Sequence, residues 1–199
     1  AQTWTLVTAS PRWNQRSFAS AVPLPNNRVV LLGGIDWRRR SDAWITQDFA
    51  SWTLQDVPRS VFSRRYGHSS VIFPDGSITL LGGFDSNLVH RSDVWHSPML
   101  GQAWSRVSEY AWSARSLASV IVTGASSLVM SGGQVRGDIL TQNGVGFTSD
   151  VWESTNKGRT WSARPTAPWS ARAGHCMVRL GSGTVLSIAG QIVMAETGF

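Results

Sequence analysis

The chain has 199 residues, of which 42% are hydrophobic and 15% are charged, and its formal net charge is +6. This composition fits one large folded domain and excludes an intrinsically disordered chain, and the longest apolar runs are too short for a transmembrane helix. Cys176 is the single cysteine, which excludes an internal disulfide and a cysteine-built metal site.

Four similar units follow one another along the chain. They are spaced by 49, 50 and 57 residues when aligned on one arginine per unit: Arg16, Arg65, Arg115 and Arg172. An aromatic residue lies three positions before each of these register arginines: Trp13, Phe62, Trp112 and Trp169. A pair of small residues begins 17 positions after each one: Gly33-Gly34, Gly82-Gly83, Gly132-Gly133 and Ala189-Gly190. Four coincidences at two fixed offsets indicate a repeat protein.

The second unit shows the local pattern most clearly. Residues 68–73 and 77–81 are short β-branched apolar runs, separated by the turn signal Pro74-Asp75-Gly76. A third run opens at Ser92-Asp93-Val94-Trp95 and a fourth at Ala103-Trp104. Helical periodicity is nowhere sustained. Four short strands in a unit of about 50 residues are typical of a β-propeller blade.

The unit resembles the kelch repeat over nearly the whole chain. The shared features are R-x-G-H before the first strand, a glycine pair after the second, D-V-W at the third and a tryptophan on the fourth. The resemblance implies an all-β propeller of four-stranded antiparallel blades, of which this chain would supply about four. It also implies a structural role for the repeated residues besides the register arginines: Gly33, Gly34, Gly82, Gly83, Gly132, Gly133, Asp42, Asp93, Asp150, Trp44, Trp95, Trp152, Trp52, Trp104 and Trp161. We expect these tryptophans to be largely buried.

A second signature overlaps the repeat. Ser154-Thr-Asn156-Lys-Gly158-Arg-Thr160-Trp161 resembles the Asp box of sialidase-type propellers, with Asn156 in place of the acidic residue. Residues 97–104 are a degenerate copy, and residues 46–52 are another that is one residue short. In that family the box is a structural turn between the outer two strands, so the resemblance implies turns here.

The units divide the chain in order. We expect blades at residues 11–58, 59–109 and 110–166, and a partial blade at 167–199. Residues 1–10 resemble the outermost strand of a closing blade, because Trp4 precedes Trp13 by nine residues while the other fourth-strand tryptophans precede the next aromatic residue by 8 to 10. The fourth unit lacks the third-strand signature. Either four blades close into a ring through residues 1–10, or the chain is part of a longer propeller, which we favour.

Catalytic chemistry finds little support in the residues. Sialidases need a nucleophilic tyrosine with acidic partners, whereas Tyr66 and Tyr110 are the only tyrosines and the best-placed aspartates recur in every D-x-W turn. Copper chemistry of the galactose-oxidase type needs converging histidines, but His68 and His175 occupy one repeat position, one per blade. We therefore predict no catalytic residue, no metal and no cofactor, and we favour a non-enzymatic protein while leaving activity open.

Five arginines lie outside the repeat register and form the predicted binding face: Arg12, Arg38, Arg39, Arg40 and Arg64. Such a face suits an acidic protein partner or an anionic glycan. Nucleic acid is not expected, because the basic residues form no continuous stripe with exposed aromatics. The register arginines are either free for ligands or bonded within the ring, and we favour the second.

The sequence thus predicts a protein-binding or scaffold module, as a subunit of a larger assembly. The alternative is a carbohydrate-active module, either a lectin or a sialidase-like hydrolase. The opening Ala1-Gln2 suits a cleaved mature terminus, which favours secretion or an organelle lumen over the cytoplasm.

Overall fold

The computed structural model describes residues 3–55, 61–136 and 145–192, and in these ranges it is all-β with 21 strands and no helix. No described segment is a helix long and apolar enough to cross a membrane. The boundary predicted between residues 58 and 59 falls outside the described ranges.

Each of the first three units forms a four-stranded antiparallel sheet, and the fourth unit contributes a two-stranded one. In chain order, the strands of these main sheets are β1 (Ser20–Leu24), β2 (Arg28–Leu32), β3 (Ala43–Thr46), β4 (Thr53–Gln55), β6 (Ser69–Ile72), β7 (Ile78–Leu81), β9 (Val94–Ser97), β10 (Ser105–Ser108), β12 (Ser119–Val122), β13 (Leu128–Ser131), β16 (Val151–Ser154), β17 (Ser162–Arg164), β19 (Cys176–Arg179) and β20 (Val185–Ile188). The prediction that each first strand follows its register arginine and each second strand ends at the small-residue pair is confirmed.

A second, smaller antiparallel sheet in the second, third and fourth units pairs the residues at the register arginine with those that follow the small-residue pair. Its strands are β5 (Arg65–Tyr66) with β8 (Phe84–Asp85), β11 (Arg115–Ser116) with β14 (Gln134–Arg136) and β15 (Val145–Phe147), and β18 (Arg172–Ala173) with β21 (Gln191–Ile192). In the first unit the equivalent pairing is an isolated β-bridge between Ser17 and Ile35. The sequence did not predict this layer, because its strands are only two or three residues long.

Consecutive units are joined by three backbone hydrogen bonds that recur at every junction. Between the first two units, Gly34 N–H donates to Arg65 O at 3.1 Å, Arg65 N–H to Arg40 O at 2.9 Å, and Gly67 N–H to Phe18 O at 3.0 Å. The equivalent donors at the other junctions are Gly83, Arg115 and Leu117, then Gly133, Arg172 and Gly174. The first main strands β1, β6, β12 and β19 accordingly lie side by side in that order.

The first glycine of each pair permits this close junction. At Gly33, Gly82 and Gly132 the backbone has positive φ, and an added Cβ would lie 3.0, 2.7 and 2.6 Å from the next unit's arginine carbonyl oxygen. A side chain at these positions would therefore push neighbouring units apart. Ala189 occupies the equivalent position in the fourth unit, with φ of 61°.

The hydrophobic core lies between the sheets. Alternate residues of β1 and β2, including Val22, Leu24, Val30 and Leu32, pack against Ile78 and Leu80 of the second unit. A second cluster joins Val71 and Phe73 to Leu128 and Met130 of the third unit. Side chains alternate across each strand, so the second and third sheets each have one face toward the preceding unit and one toward the following unit.

The fourth unit leaves its forward face uncovered in the described structure. Its residues equivalent to the buried forward positions of the first unit are Val178, Leu180, Leu186 and Ile188, which are 40, 43, 42 and 50% exposed. Among the described residues, no sheet joins the fourth unit to the first, and the sheets do not form a closed ring.

Residues 3–10 form no strand, in contrast to the predicted outer strand, and Trp4 is fully exposed. A β-strand needs a neighbouring backbone to complete its hydrogen bonds. No described sheet pairs with this segment.

Candidate anion-binding site

The register arginines lie within a repeated polar network. Arg65 donates from Nη1 to Gly82 O at 2.8 Å and to Asp93 Oδ1 at 2.6 Å, and from Nη2 to Asp93 Oδ2 at 2.8 Å. The indole N–H of Trp95 donates to Asp93 Oδ2 at 2.7 Å. The same arrangement recurs in the first and third units, with Arg16, Gly33, Asp42 and Trp44, and with Arg115, Gly132, Asp150 and Trp152.

This network holds the aspartates ionised. Burial opposes ionisation of Asp93, yet the hydrogen bonds and charge of Arg65 outweigh it and hold the pKa of Asp93 below its usual value. The pKa values of Asp42 and Asp150 are lowered against burial in the same way by Arg16 and Arg115. Both charges of each pair are therefore occupied within the fold, and these arginines are not available to a ligand.

Arg172 departs from the pattern. Its described partners are the carbonyl oxygens of Ala189 at 3.0 Å and Ser170 at 3.2 Å and the hydroxyl of Ser170 at 3.3 Å. No aspartate lies among them. The fourth unit thus keeps the carbonyl contact of the network and lacks the carboxylate in the residues described.

The six repeat tryptophans are largely buried, as expected, although none is completely buried. Trp95 shows the reason, because its indole N–H must reach the Asp93 carboxylate at the edge of the sheet. Trp104 packs edge-on against Phe62, with ring centroids 5.5 Å apart, and Trp161 packs likewise against Trp112 at 6.0 Å. These rings cover the cores from outside, and in the second and third units the opening aromatic residue, Phe62 or Trp112, is the buried partner.

Four of the five predicted binding arginines line one cleft. This cleft, called the cationic cleft below, has a volume of about 270 Å³ and is lined by Arg38, Arg39, Arg40, Ser41, Asp42 and Arg64. The loop that follows Gly34 supplies most of this lining, and Arg64 comes from the segment that opens the second unit. Arg12 is exposed and does not line the cleft.

Arg40 is not a free cation, in contrast to the prediction. It donates from Nε and Nη2 to Asp36 Oδ2 at 3.2 and 2.5 Å, and this contact holds the pKa of Asp36 well below its usual range. The physical reason is the loop geometry, in which Arg40 N–H bonds Gly34 O and brings residues 36 and 40 together. The second unit repeats the arrangement with Asp85 and Arg91.

The other three arginines have no ion pair within the described part of the chain. The guanidinium of Arg38 lies 3.6 Å from the ring centroid of Trp37. The guanidinium of Arg39 lies 5.4 and 5.5 Å from the ring centroids of Tyr66 and Phe84, and its Nε is buried without a partner. Since Asp42 is occupied by Arg16 and Trp44, the cleft has a local excess of three positive charges.

An apolar cleft of about 520 Å³ lies between the second and third units. Its lining is Phe84, Leu88, Val89, His90, Ala114, Gln134 and Arg136. The rings of Phe84 and His90 pack at 4.8 Å. Phe84 therefore forms part of this cleft and also lies beneath Arg39 of the cationic cleft. The sequence analysis did not identify the rings of Tyr66 and Phe84 as neighbours of Arg39, although these residues directly follow Arg65 and the Gly82-Gly83 pair.

The histidines do not form a metal site. In the described residues no group of three metal-ligating side chains of the His, Cys, Asp and Glu types is close enough to hold an ion. His68 is buried with no hydrogen-bond partner on either ring nitrogen. Burial, reinforced by the charge of Arg65, lowers the pKa of His68 to about 3, so this side chain is neutral.

The turns between third and fourth strands are built from local hydrogen bonds. Asn156 Oδ1 accepts from Thr160 N–H at 2.9 Å, Gly158 N–H donates to Ser154 Oγ at 2.9 Å, and the indole of Trp161 donates to Gly158 O at 3.0 Å. Residues 97–104 repeat two of these bonds, and Asp48 accepts from two backbone N–H groups in the first unit. The polar side chains of these turns are thus committed to the backbone.

No protein-family model matches this chain, and no curated protein matches it.

Proposed function

We propose that the chain is a kelch-like propeller module without enzymatic activity, which binds an acidic partner through the cationic cleft. Its sheets would be the blades, and the register network would be the scaffold that fixes the loops. The observation that carries the proposal is the convergence of Arg38, Arg39 and Arg64 on one cleft without a carboxylate to neutralise them.

Physical chemistry supports a ligand there. Three like charges around 270 Å³ repel one another, and an anion that enters the cleft removes this repulsion and gains charge-assisted hydrogen bonds. The loop that presents Arg38 and Arg39 is anchored by the Asp36 contact of Arg40 and by the junction hydrogen bonds. Binding groups on loops held by a rigid scaffold are the usual arrangement in repeat folds.

The carboxylates argue against hydrolytic chemistry. Asp42, Asp93 and Asp150 each neutralise a buried arginine and accept from a tryptophan, and Asp36 and Asp85 each pair with a loop arginine. A glycosidase needs two carboxylates that flank a substrate bond and are free to exchange protons. We therefore do not propose hydrolysis by these five carboxylates.

The proposal is tested with a fluorescein-labelled hexaglutamate peptide in fluorescence anisotropy titrations. The wild-type chain should bind it saturably, and affinity should fall as salt is raised from 50 to 300 mM, because exposed charges are screened. The triple variant Arg38→Glu, Arg39→Glu, Arg64→Glu should lose binding and keep the wild-type circular dichroism spectrum.

Arg28→Glu is a single-substitution control outside the cleft. Arg28 lies at the start of β2, away from the cleft, and its Nε donates only to Pro25 O at 3.2 Å. This variant changes the net charge but should keep most of the affinity. Equal binding by the wild type and the triple variant would refute the proposed cleft, since the peptide would then bind independently of these three arginines.

A further inference from the structure

We infer that the anion taken by the cationic cleft is a phosphate group, borne by a peptide with an apolar residue beside the phosphorylated one. This inference rests on the proposed function and narrows its acidic partner to one chemical class. It is carried by the unpaired arginines, by the rings beneath them and by the apolar cleft on the far side of Phe84.

The number of donors favours phosphate over carboxylate. A guanidinium has five N–H donors, whereas a carboxylate offers two acceptor oxygens and a single negative charge. A phosphate monoester has three strong acceptor oxygens and a charge of about −1.5 to −2 at pH 7. It can therefore bridge Arg38, Arg39 and Arg64 together, and its charge matches their excess more closely than that of a single carboxylate.

The aromatic rings hold the guanidinium groups ready for such a ligand. Trp37 lies under Arg38, and Tyr66 and Phe84 lie under Arg39. Stacking occupies the flat face of a guanidinium and leaves its N–H edge free. Because Arg39 Nε is already buried and unpaired, ordering this side chain on binding would cost little.

The surface beyond Phe84 is apolar, which favours a peptide over a sulfated glycan. Leu88 and Val89 are 68 and 45% exposed at the mouth of the apolar cleft. The 520 Å³ of this cleft can hold an apolar side chain of a peptide whose phosphate lies over Arg39. On a sulfated glycan, the groups next to the sulfate are hydroxyl-bearing sugar rings, which would leave the Leu88 and Val89 side chains uncovered.

The test compares three fluorescein-labelled peptides that differ at the central residue: Gly-Leu-X-Leu-Gly with X as phosphoserine, glutamate or serine. We expect the phosphoserine peptide to bind at least 10-fold more tightly than the glutamate peptide, and the serine peptide not to bind saturably. Arg38→Ala, Arg39→Ala and Arg64→Ala should each weaken the phosphoserine peptide about 5-fold or more. Arg28→Ala should leave it unchanged.

The apolar cleft is tested with Leu88→Ser and a phosphoserine peptide in which both leucines are replaced by glycine. The wild type should bind the leucine peptide several-fold more tightly, and Leu88→Ser should abolish this difference without changing affinity for the glycine peptide. Because Leu88 is exposed, the variant should fold normally.

The outcomes separate this inference from the proposed function. Equal binding of the phosphoserine and glutamate peptides would overturn the inference while the acidic-partner proposal stands. Absence of binding by both, together with failure of hexaglutamate, would overturn the two together. Displacement of the phosphoserine peptide by a heparin tetrasaccharide at a lower concentration than by unlabelled phosphoserine peptide would identify a glycan as the preferred ligand and would also overturn the inference.

Discussion

His68 should make the stability of the fold fall with acidification well above the range in which carboxylates titrate. The ring lies between units, where an added Cβ on Gly33 would be 2.8 Å from its Cε1 and one on Gly83 would be 2.9 Å from its Cβ. Burial first, and then the charge of Arg65, lowers its pKa from 6.5 to about 3. The folded state therefore excludes a proton that the unfolded chain accepts.

The sign follows from proton linkage. Below pH 6.5 the unfolded state binds one more proton than the folded state, so stability is lost as pH falls and the loss is complete near pH 3. Each pH unit below 6.5 costs about 1.4 kcal/mol, which gives about 2 kcal/mol at pH 5. Asp42, Asp93 and Asp150 have lowered pKa values, so the stability that they contribute is lost only at more acidic pH.

The assay is urea unfolding at pH 8 and pH 5, with wild type beside His68→Ala. Alanine already occupies the equivalent positions 19 and 118, so the backbone accepts it. The variant should be less stable at pH 8 because it leaves a cavity, but its loss between pH 8 and pH 5 should be smaller by about 2 kcal/mol. His68→Gln, which keeps more volume, should show the same reduction. Identical pH dependence in all three proteins would refute the reasoning.

Two further predictions concern the junctions. Arg115→Lys should lower the free energy of unfolding, measured in urea, by about 2–4 kcal/mol, because a buried lysine cannot bond both oxygens of Asp150 and also Gly132 O. Arg172→Lys should cost much less. Equal costs of the two substitutions would contradict the role given to the carboxylate. Gly132→Ala should strongly lower the midpoint of thermal unfolding, since the added Cβ would lie 2.6 Å from Arg172 O. Gly181→Ala should leave the midpoint unchanged, because a Cβ added there has no neighbouring atom within 4 Å. An unchanged midpoint for Gly132→Ala would show that the units can separate without penalty.

Much of the fold was predictable because the repeat multiplies each weak signal. The strands after Arg65 and before Gly82 carry ordinary β-branched patterns, and four aligned copies make them unambiguous. The expectation that register arginines are bonded within the chain also followed from repetition, and Arg16, Arg65 and Arg115 are indeed bonded to aspartates and glycine carbonyls. A residue needed in every unit is more plausibly structural than specific to one ligand.

The candidate site was only partly predictable. Arg38, Arg39 and Arg64 line one cleft, but Arg12 lies outside it, and Arg40 pairs with Asp36 through a loop conformation that composition does not encode. Comparison with Asp85 and Arg91 in the next loop would have given the signal. The incomplete burial of the tryptophans does not follow from hydrophobicity alone, because an indole N–H such as that of Trp95 must reach a carboxylate.

Ala189 limits how closely another unit can pack on the forward face of the fourth unit, whereas a glycine occupies this position at the three junctions before it. With φ of 61° it keeps the backbone shape of a glycine, but its methyl group fills the space where a following arginine carbonyl would approach to 2.6–3.0 Å. Any sheet that packs on Val178, Leu180, Leu186 and Ile188 must stand off by several tenths of an ångström. A junction formed on this face would therefore be less close than the three junctions that the structure describes.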